Sequence, residues 1–242
     1  MVWAVLPLKD LVKAKSRLSG VLAPFERRVL MQAMVEDVLT ALASVAELEG
    51  VLVVSDDPSA ELLAHKYGLE WVAEARLGAP GLNGSVAAAT AMLAERGVTD
   101  FMVLHGDIPL LCAADLQQLL AVYASSDTDI VIAPDLNRDG TNIMVLPAAA
   151  ELPFCYGQAS CAAHTRLAEE RGLSVRLVES ERTGLDVDEP EDLLRLYHHL
   201  VNDPVAEHCA GLLLVDEISQ RLRAVDSSGL GTAAMEVKHD AV

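Results

Sequence analysis

The densest group of cationic side chains lies near the start of the chain. The segment LPLKDLVKAKSRL follows a short apolar run and contains Lys9, Lys13, Lys15 and Arg17. A triphosphate needs several cationic donors, because charge must be neutralised on the leaving pyrophosphate when the α-phosphorus is attacked. Residues 1–30 carry a net charge of +4, whereas the whole chain carries −18. The segment is therefore predicted to bind a small polyanion, and a solvated helix face is the alternative.

Three aspartates follow apolar runs and could bind a hard cation. Asp107 lies in LHGDIPLL, directly after a predicted strand, while Asp186 and Asp188 alternate in GLDVDEPEDLLRL. Carboxylates at positions i and i+2 of an extended segment point the same way and can share Mg²⁺. Each has a structural alternative, since Asp107 could cap a turn and Asp188 could cap the helix that Pro190 begins.

A third set of polar residues lies in the second half of the chain. Thr141 and Asn142 enter a predicted strand, and YGQAS, with Gly157 and Ser160, opens a predicted helix that contains His164. The free N–H groups at such a helix start would suit a small phosphate or carboxylate. The alternatives are a glycine turn with a serine cap, and a hydrogen-bonded core histidine. No local signature predicts covalent catalysis, and neither GxxxxGK[ST] nor GxGxxG occurs.

The elements that must position these residues alternate between two patterns. Short β-branched runs at 51–56, 101–107, 129–135, 142–147 and 175–180, and at the start of the chain, predict strands. Between them lie longer segments with apolar residues at helical spacing. The alternation predicts an α/β fold with a mostly parallel sheet and helices on both faces, whose ligands bind beyond the carboxyl ends of the strands.

Composition limits the partners and the compartment. The chain has 242 residues and a net charge of −18, which disfavours nucleic acid and anionic membranes as partners. No apolar run is long enough for a membrane helix and the N-terminus does not resemble a secretory signal, so a cytoplasmic location is predicted. Four cysteines without CxxC spacing indicate reduced thiols rather than zinc ligands or disulfides. Residues 1–202 are predicted to form the catalytic domain, and 203–242 an extension with one more helix and a tail.

Six motifs together resemble one enzyme family. PLKDLVKAKSRL, GLNGSV, LHGDIPLL, DGTNIM, YGQASCAAH and LDVDEPEDL occur in the order seen in guanylyltransferases of coenzyme F420 biosynthesis. The resemblance covers about residues 1–200, and it departs at the GLNGS loop, where GLNAA is commoner. It implies a single-domain fold like the nucleoside-diphospho-sugar transferases, a GT-A or Rossmann-like three-layer sandwich with a mostly parallel mixed sheet.

The resemblance also implies substrates and residue roles. GTP and a phosphorylated three-carbon acid would give a guanylylated acid and pyrophosphate, the acid being phosphoenolpyruvate, 3-phospho-D-glycerate or 2-phospho-L-lactate. Lys15, Arg17 and Asp107 would be catalytic, and Mg²⁺, or Mn²⁺, would be held by Asp107 with Asp186 or Asp188. The residues implied to bind GTP are Leu6, Lys9, Lys15, Arg17, Asn83, Gly84 and Ser85. Those implied to bind the acceptor are Thr141, Asn142, Gly157 and Ser160.

Two other functions fit parts of the pattern. In a GT-A nucleotide-sugar glycosyltransferase, Asp186-Val187-Asp188 would be the metal-binding DxD, although the cationic first segment fits triphosphate chemistry better. A nucleotide-binding module without turnover is the non-enzymatic alternative, and the paired carboxylates with Lys15 and Arg17 argue against it. A homodimer and direct hand-over of the product to the next enzyme of the pathway are further hypotheses.

Overall fold

The computed structural model describes residues 2–9, 15–125 and 127–227. Seven strands form one sheet in the order β3-β2-β1-β4-β6-β5-β7. Its strands are β1 (Val2–Pro7), β2 (Leu48–Val54), β3 (Glu70–Val72), β4 (Asp100–Leu104), β5 (Ile130–Pro134), β6 (Thr141–Pro147) and β7 (Val175–Leu177). Only β6 runs antiparallel to its two neighbours, β4 and β5. The predicted mostly parallel mixed sheet is confirmed.

Ten helices lie within the described residues and cover both faces of the sheet. They are α1 (Pro24–Ala43), α2 (Pro58–Lys66), α3 (Glu74–Leu77), α4 (Gly81–Glu95), α5 (Ala113–Tyr123), α6 (Ser160–Glu169), α7 (Glu181–Gly184), α8 (Pro190–Asn202), α9 (Glu207–Leu213) and α10 (Asp216–Ser227). Two short 3₁₀ turns span Ser16–Gly20 and Ala148–Ala150.

The strands divide the core into two apolar layers because successive side chains point to opposite faces. In β1, Ala4 and Leu6 belong to the layer under α1, α5 and α8, whereas Val5 belongs to the layer under α4 and α6. In β4, Leu104 and Val103 divide in the same way. The three-layer sandwich implied by the resemblance is therefore present.

The reversed direction of β6 explains how the site is assembled. A strand antiparallel to β4 and β5 begins where they end, and Leu104 of β4 pairs with Ile143 of β6. Thr141 and Asn142, the first two residues of β6, therefore lie at the same edge of the sheet as Asp107, which follows β4. The peptide N–H of His105 confirms the register by donating to the Asn142 carbonyl at 3.1 Å.

The segment after residue 202 contains two helices, α9 and α10, rather than the single helix we predicted. The Asp37 carboxylate of α1 accepts the backbone N–H groups of His208 and Cys209, both at 2.9 Å. Cys209 and Leu222 are fully buried in the layer that contains α1. These helices complete the core beside α1 and α8, and the domain boundary at 202 stays a prediction. Residues 228–242 lie outside the described residues.

Candidate active site

A lysine bridges two of the predicted carboxylates at the carboxyl edge of the sheet. The Nζ atom of Lys15 lies 2.8 Å from Oδ2 of Asp107 and 2.6 Å from Oδ1 of Asp188. Lys15 precedes the first 3₁₀ turn, Asp107 follows β4, and Asp188 precedes α8, so three distant segments meet at one ammonium group. The structure thus brings together three of the residues predicted to act in catalysis and metal binding.

Burial and charge oppose each other in this bridge, and charge prevails. The Lys15 side chain is only 5% exposed, and burial by itself would lower its pKa. Asp107 and Asp188 outweigh that effect and raise the pKa of Lys15 above its ordinary value. Burial would raise the pKa of Asp107, but the Lys15 charge holds it below its ordinary value. Lys15 and Asp107 are therefore both charged at neutral pH.

The backbone on both sides of the bridge is constrained. Lys15 adopts φ 60° and ψ 39°, a left-handed conformation that costs a non-glycine residue on the order of 1 kcal/mol. A Cβ atom on Gly106 would come within 2.5 Å of Leu8 Cδ2, so the loop that carries Asp107 packs closely against the residue that follows β1. Close packing at Gly106 and the unusual backbone of Lys15 both lie next to the ion pairs of the bridge.

Asp186 and Asp188 have different surroundings. Asp186 accepts a 3.4 Å hydrogen bond from Asn142 Nδ2, and burial followed by repulsion from Asp107 raises its pKa to about 6. Asp188 does not cap α8, because Glu189 is the capping residue. The Asp192 carboxylate instead accepts the N–H groups of Asp188 and Glu189 at 3.2 and 2.9 Å. The Asp188 carboxylate is thus directed to Lys15.

The first segment contains three other described residues that were implied to bind GTP, and each is either exposed or part of the core. Arg17 Nη1 pairs with Glu189 Oε1 at 2.8 Å, and both side chains are substantially exposed. Lys9 is exposed, whereas Leu6 has no exposed surface and belongs to the core. Lys13 lies outside the described residues. Of the predicted triphosphate-binding cations, Lys15 and Arg17 are therefore both neutralised by carboxylates of the 188–189 segment.

Asn83 joins α4 to the segment before α6. Its Nδ2 atom donates to the Tyr156 carbonyl at 3.1 Å, and its Oδ1 atom accepts the Tyr156 N–H at 2.7 Å. The GLNGS segment, which we interpreted as a loop, forms the first turns of α4. Ser85 is buried and donates to the Gly81 carbonyl at 2.8 Å and to the Glu74 carboxylate. The predicted nucleoside contacts of Asn83, Gly84 and Ser85 stay predictions.

His164 links the start of β6 to the same segment. Its Nδ1 atom lies 3.0 Å from Thr141 Oγ1, and its Nε2 atom lies 2.8 Å from the backbone nitrogen of Cys155. A peptide N–H can only donate, so Nε2 is unprotonated and Nδ1–H donates to Thr141. His164 is fully buried, and burial lowers its pKa to about 4. The alternative of a hydrogen-bonded core histidine is therefore confirmed.

An aromatic cluster surrounds this histidine. The rings of His105 and His164 each pack edge-on against Tyr156, with ring centroids 5.0 Å apart in both pairs. Phe154 stacks on Tyr156 at 6.0 Å. The buried hydroxyl of Tyr156 has no hydrogen-bond partner among the described residues. The network is thus neutral and largely closed to solvent.

The start of α6 differs from our expectation of free N–H groups. The Asp139 carboxylate accepts the N–H of Ala159 at 3.2 Å, and the Asp139 carbonyl accepts that of Cys161 at 3.0 Å. The N–H of Ser160 donates to the Gly157 carbonyl at 3.2 Å. Ser160 is the first helical residue, and Ala159, at φ 54°, is the capping residue. An anion at this helix start would meet the negative charge of Asp139.

An open cleft of about 1230 Å³ lies beside these groups. It follows the sheet edge and is lined by residues of both halves, among them Arg17, Gly140, Gly157, Asp186, Asp188 and Glu189. Lys15 adjoins the cleft through its contact with Asp188. The cleft is the candidate active site.

Several contacts that shape the cleft were missed from the sequence. Glu189 pairs with Arg17, and Asp139 occupies the start of α6, although each is remote from its partner along the chain. Arg182 makes a two-pronged ion pair with Asp115, which fixes the helix that precedes Asp186. The only local signal was the position of Asp192 in the first turn of α8, which favours a capping role.

Two features are absent from the described part of the chain. No group of three or more histidine, cysteine, aspartate or glutamate side chains is arranged to hold a metal ion there. No helix there is long and apolar enough to cross a membrane. The four cysteines, all within the described residues, are free thiols.

The architecture places the chain in a known structural class. A protein from Desulfovibrio desulfuricans G20 named as a nucleotide-diphospho-sugar transferase superposes with a TM-score of 0.74, at 18% identity, over 92% of this chain and 97% of that chain. At that identity the similarity shows the fold alone. The fold is therefore that of the nucleotide-diphospho-sugar transferases, as the six motifs implied.

Sequence comparison identifies the family. The model of the family described as "Guanylyl transferase CofC like" matches residues 2–213, and the chain belongs to this family. The phosphoenolpyruvate guanylyltransferase of Conexibacter woesei is 42% identical over 79% of this chain and 85% of its own length. The 2-phospho-L-lactate guanylyltransferase of Methanothermobacter thermautotrophicus is 38% identical over 81% of this chain and 84% of its own. The chain is thus an enzyme of the nucleotidyltransferase class.

Proposed function

We propose that this enzyme transfers the guanylyl group of GTP to the phosphate of a phosphorylated three-carbon acid and releases pyrophosphate, as a step of coenzyme F420 biosynthesis. The observation that carries the proposal is the bridge of Lys15 between Asp107 and Asp188, beside an open cleft that Asp188 lines. Two carboxylates that converge on one cation, with a second cation nearby at Arg17, match the needs of phosphoryl chemistry. The names of the family relatives support guanine as the base.

The carboxylates suit a Mg²⁺ site that has few protein ligands. Mg²⁺ commonly binds one or two carboxylates and takes its other ligands from phosphate oxygens and water, so a group of three protein ligands is not needed. Asp107 and Asp188 already share a cation, the Lys15 ammonium group. We therefore assign Asp107 and Asp188 as the Mg²⁺ ligands, with Asp186 beside them. The metal would supply charge neutralisation at the phosphates.

The chain's own cations would act on the triphosphate. An ammonium group at Lys15 and a guanidinium at Arg17 can bind phosphate oxygens once those oxygens replace the carboxylates as partners. An oxygen of the acceptor's phosphate would attack the α-phosphorus of GTP. A phosphoanhydride bond would form, and the bond to the β-phosphate would break with its electron pair leaving on pyrophosphate. The attacking phosphate is already ionised near neutral pH, so positioning and charge neutralisation would provide most of the rate.

The acceptor would lie on the β6 side of the cleft. Thr141, Asn142, Gly157 and Ser160 are the residues that the family motifs assign to it, and Gly157 lines the cleft. The acids named for the relatives all carry a carboxylate and a phosphate. We propose phosphoenolpyruvate as the first acceptor to test, because the Conexibacter relative with 42% identity bears that name.

The deciding experiment measures pyrophosphate release with purified protein, Mg²⁺ and GTP. Phosphoenolpyruvate, 2-phospho-L-lactate and 3-phospho-D-glycerate are added in turn, and ATP and CTP replace GTP in matched reactions. We expect release only with GTP and one or more of the acids, with the guanylylated acid detected by mass spectrometry. Transfer from a nucleotide sugar without pyrophosphate would indicate the glycosyltransferase alternative. GTP binding without release for any acid would indicate a non-catalytic module.

The remaining predictions concern the surroundings of the enzyme. We propose that it works in the cytoplasm on small-molecule substrates without nucleic acid or membrane partners, in keeping with its net charge of −18. A homodimer and hand-over of the product to the next pathway enzyme stay predictions.

A further inference from the structure

The buried histidine His164 connects two walls of the cleft. Thr141, its partner on Nδ1, is adjacent to Gly140, and Cys155, its partner on Nε2, is two residues before Gly157. Both glycines line the cleft. The imidazole ring therefore fixes the spacing between the start of β6 and the segment that leads into α6. A second connection between the same walls is made by Asp139, whose carboxylate accepts the N–H of Ala159 at 3.2 Å.

The two partners of His164 also fix the direction of the Thr141 hydroxyl group. The Cys155 N–H occupies Nε2 as a donor, so the ring proton is on Nδ1 and is donated to Thr141 Oγ1. Oγ1 is thereby the acceptor in that bond, and its own proton is left for a different partner. Within the described residues, Thr141 Oγ1 makes no other hydrogen bond. A buried hydroxyl donor without an acceptor is costly, which favours a hydrogen-bond acceptor, such as an oxygen atom of the acceptor acid, at this position.

We propose that His164 is a positioning residue for the acceptor acid: by donating to Thr141 Oγ1, it turns the Thr141 hydroxyl proton toward the bound anion. The inference rests on the proposed function, since Thr141 must face the acceptor. It assigns to His164 a role in acceptor affinity without contact with either substrate. The edge-on packing of Tyr156 on the His164 ring keeps the ring in this orientation.

Two amide substitutions separate the roles of the two ring nitrogens of His164. In His164→Asn the amide lies near the former Nδ1 and can still donate to Thr141, whereas in His164→Gln it lies near the former Nε2 and can accept from Cys155. We expect His164→Gln to raise the KM for phosphoenolpyruvate about tenfold and to leave the KM for GTP unchanged within about twofold. His164→Asn should stay within about threefold of the wild type for both substrates.

Thr141 variants test whether the effect passes through the hydroxyl group. Thr141→Val should raise the KM for the acid about as much as His164→Gln, and Thr141→Ser should restore it. In the Thr141→Val background, His164→Gln should cause no further increase, because the two changes remove one interaction. Additive effects, equal impairment by His164→Asn and His164→Gln, or a matching rise in the KM for GTP would each overturn the proposal.

Binding and spectroscopy keep the test decisive if a variant folds poorly. Calorimetric titration with phosphoenolpyruvate, in the presence of Mg²⁺ and α,β-methylene-GTP, should show the same order of affinities without turnover. Nitrogen-15 NMR of the wild-type ring should show Nδ1 protonated and Nε2 unprotonated, and the opposite tautomer would overturn the proposal. If the wild type neither binds nor guanylylates any of the three acids, the proposed function fails and this inference with it. Turnover by the wild type, together with unchanged KM values in the His164 and Thr141 variants, would overturn this inference and leave the proposed function standing.

Discussion

The two sides of the cleft hold their side chains by different kinds of interaction. On the side of the first segment, Lys15 and Arg17 pair with carboxylates and carry full charges. On the side of β6, Thr141 and His164 form a neutral, buried network. We name the first set, with Asp107, Asp188 and Glu189, the charged cluster. The second, with Cys155, Tyr156 and Asn83, is the neutral network.

This difference indicates how one cleft can bind two substrates by different kinds of interaction. Ion pairs can exchange partners, so the cations of the charged cluster can leave their carboxylates when phosphate oxygens arrive. Neutral hydrogen bonds between backbone and buried side chains have no alternative partners, so the neutral network keeps one geometry before and after binding. Rearrangement is expected where charge is neutralised, and rigidity where a small acid must be positioned.

The largest expected effect is on turnover, in the charged cluster. Asp107→Asn and Asp188→Asn should each lower kcat by about 1,000-fold, because each removes a carboxylate that shares a cation at the reacting phosphates. The measurement is pyrophosphate release, with circular dichroism to verify folding. Glu207→Gln is the matched control, since it removes one negative charge from the first turn of α9, outside the cleft, and should leave kcat unchanged. Normal turnover with both aspartates replaced would remove the metal assignment.

The second effect is the pH dependence of stability in the neutral network. Burial lowers the pKa of His164 to about 4, below the value near 6.5 of an unfolded chain. A depressed base contributes stability that is fully present above pH 6.5 and is lost as pH falls toward 4. Between these limits, the free energy of unfolding attributable to His164 should fall by about 3 kcal/mol.

His164→Asn isolates this contribution, because asparagine does not titrate. Urea unfolding of the wild type and of the variant at several pH values gives the difference in their free energies of unfolding. That difference should decrease as pH is lowered from 6.5 to 4, since other titrating groups are common to both proteins. A difference independent of pH would show that His164 is not held neutral.

The third effect is on the metal-free stability of the charged cluster. Lys15→Met should lower the free energy of unfolding by about 2 kcal/mol, less than for a fully buried pair because the Asp188 side chain is half exposed. Without the ammonium group, Asp107 and Asp188 repel each other, so Mg²⁺ should raise the melting temperature of the variant more than that of the wild type. Arg17→Met, which breaks an exposed pair, should cost less than about 1 kcal/mol. Equal losses of unfolding free energy in the two variants would contradict this difference between the buried and the exposed ion pair.

The smallest effect concerns the two hydrogen bonds between the Asn83 side chain and the Tyr156 backbone. Asn83→Ala removes both hydrogen bonds to the Tyr156 backbone and should lower the free energy of unfolding by about 1–2 kcal/mol. Because Tyr156 precedes Gly157, the KM for the acid should rise more than the KM for GTP. Gln117→Ala, which loses only surface contacts with Glu47, should change stability by less than about 0.5 kcal/mol. A rise in the KM for GTP alone would instead place Asn83 at the nucleoside.

Much of the fold could be predicted because its signals are local. The apolar runs at 101–107 and 142–147 match β4 and β6. Helical spacing predicted α1, α2, α5 and most of α4, and Pro190 predicted the start of α8. The short strand β3 and the start of α4 at Gly81 were missed, since three residues give no periodicity and glycines disfavour helices. The break between α9 and α10 at Leu214 and Val215 also lacks a local signal, because both residues are apolar.

The sequence by itself determined the inventory of chemical groups. It showed a cationic segment in an acidic chain, three aspartates that could bind a hard cation and a polar set around Thr141, and six motifs in one order indicated the family. These features depend on residue type and spacing, which the chain carries whether or not it is folded.

Only the tertiary structure decided which of these groups meet. The antiparallel direction of β6 brings Thr141 to the edge that carries Asp107, and packing at Gly106 sets the position of that aspartate. Lys15 selects Asp188 over Asp186, although the two are separated by a single residue. The physical reason is that ion pairs and hydrogen bonds depend on distances of about 3 Å between atoms far apart in the chain. Such distances are set by the packing of the whole sheet and its helices.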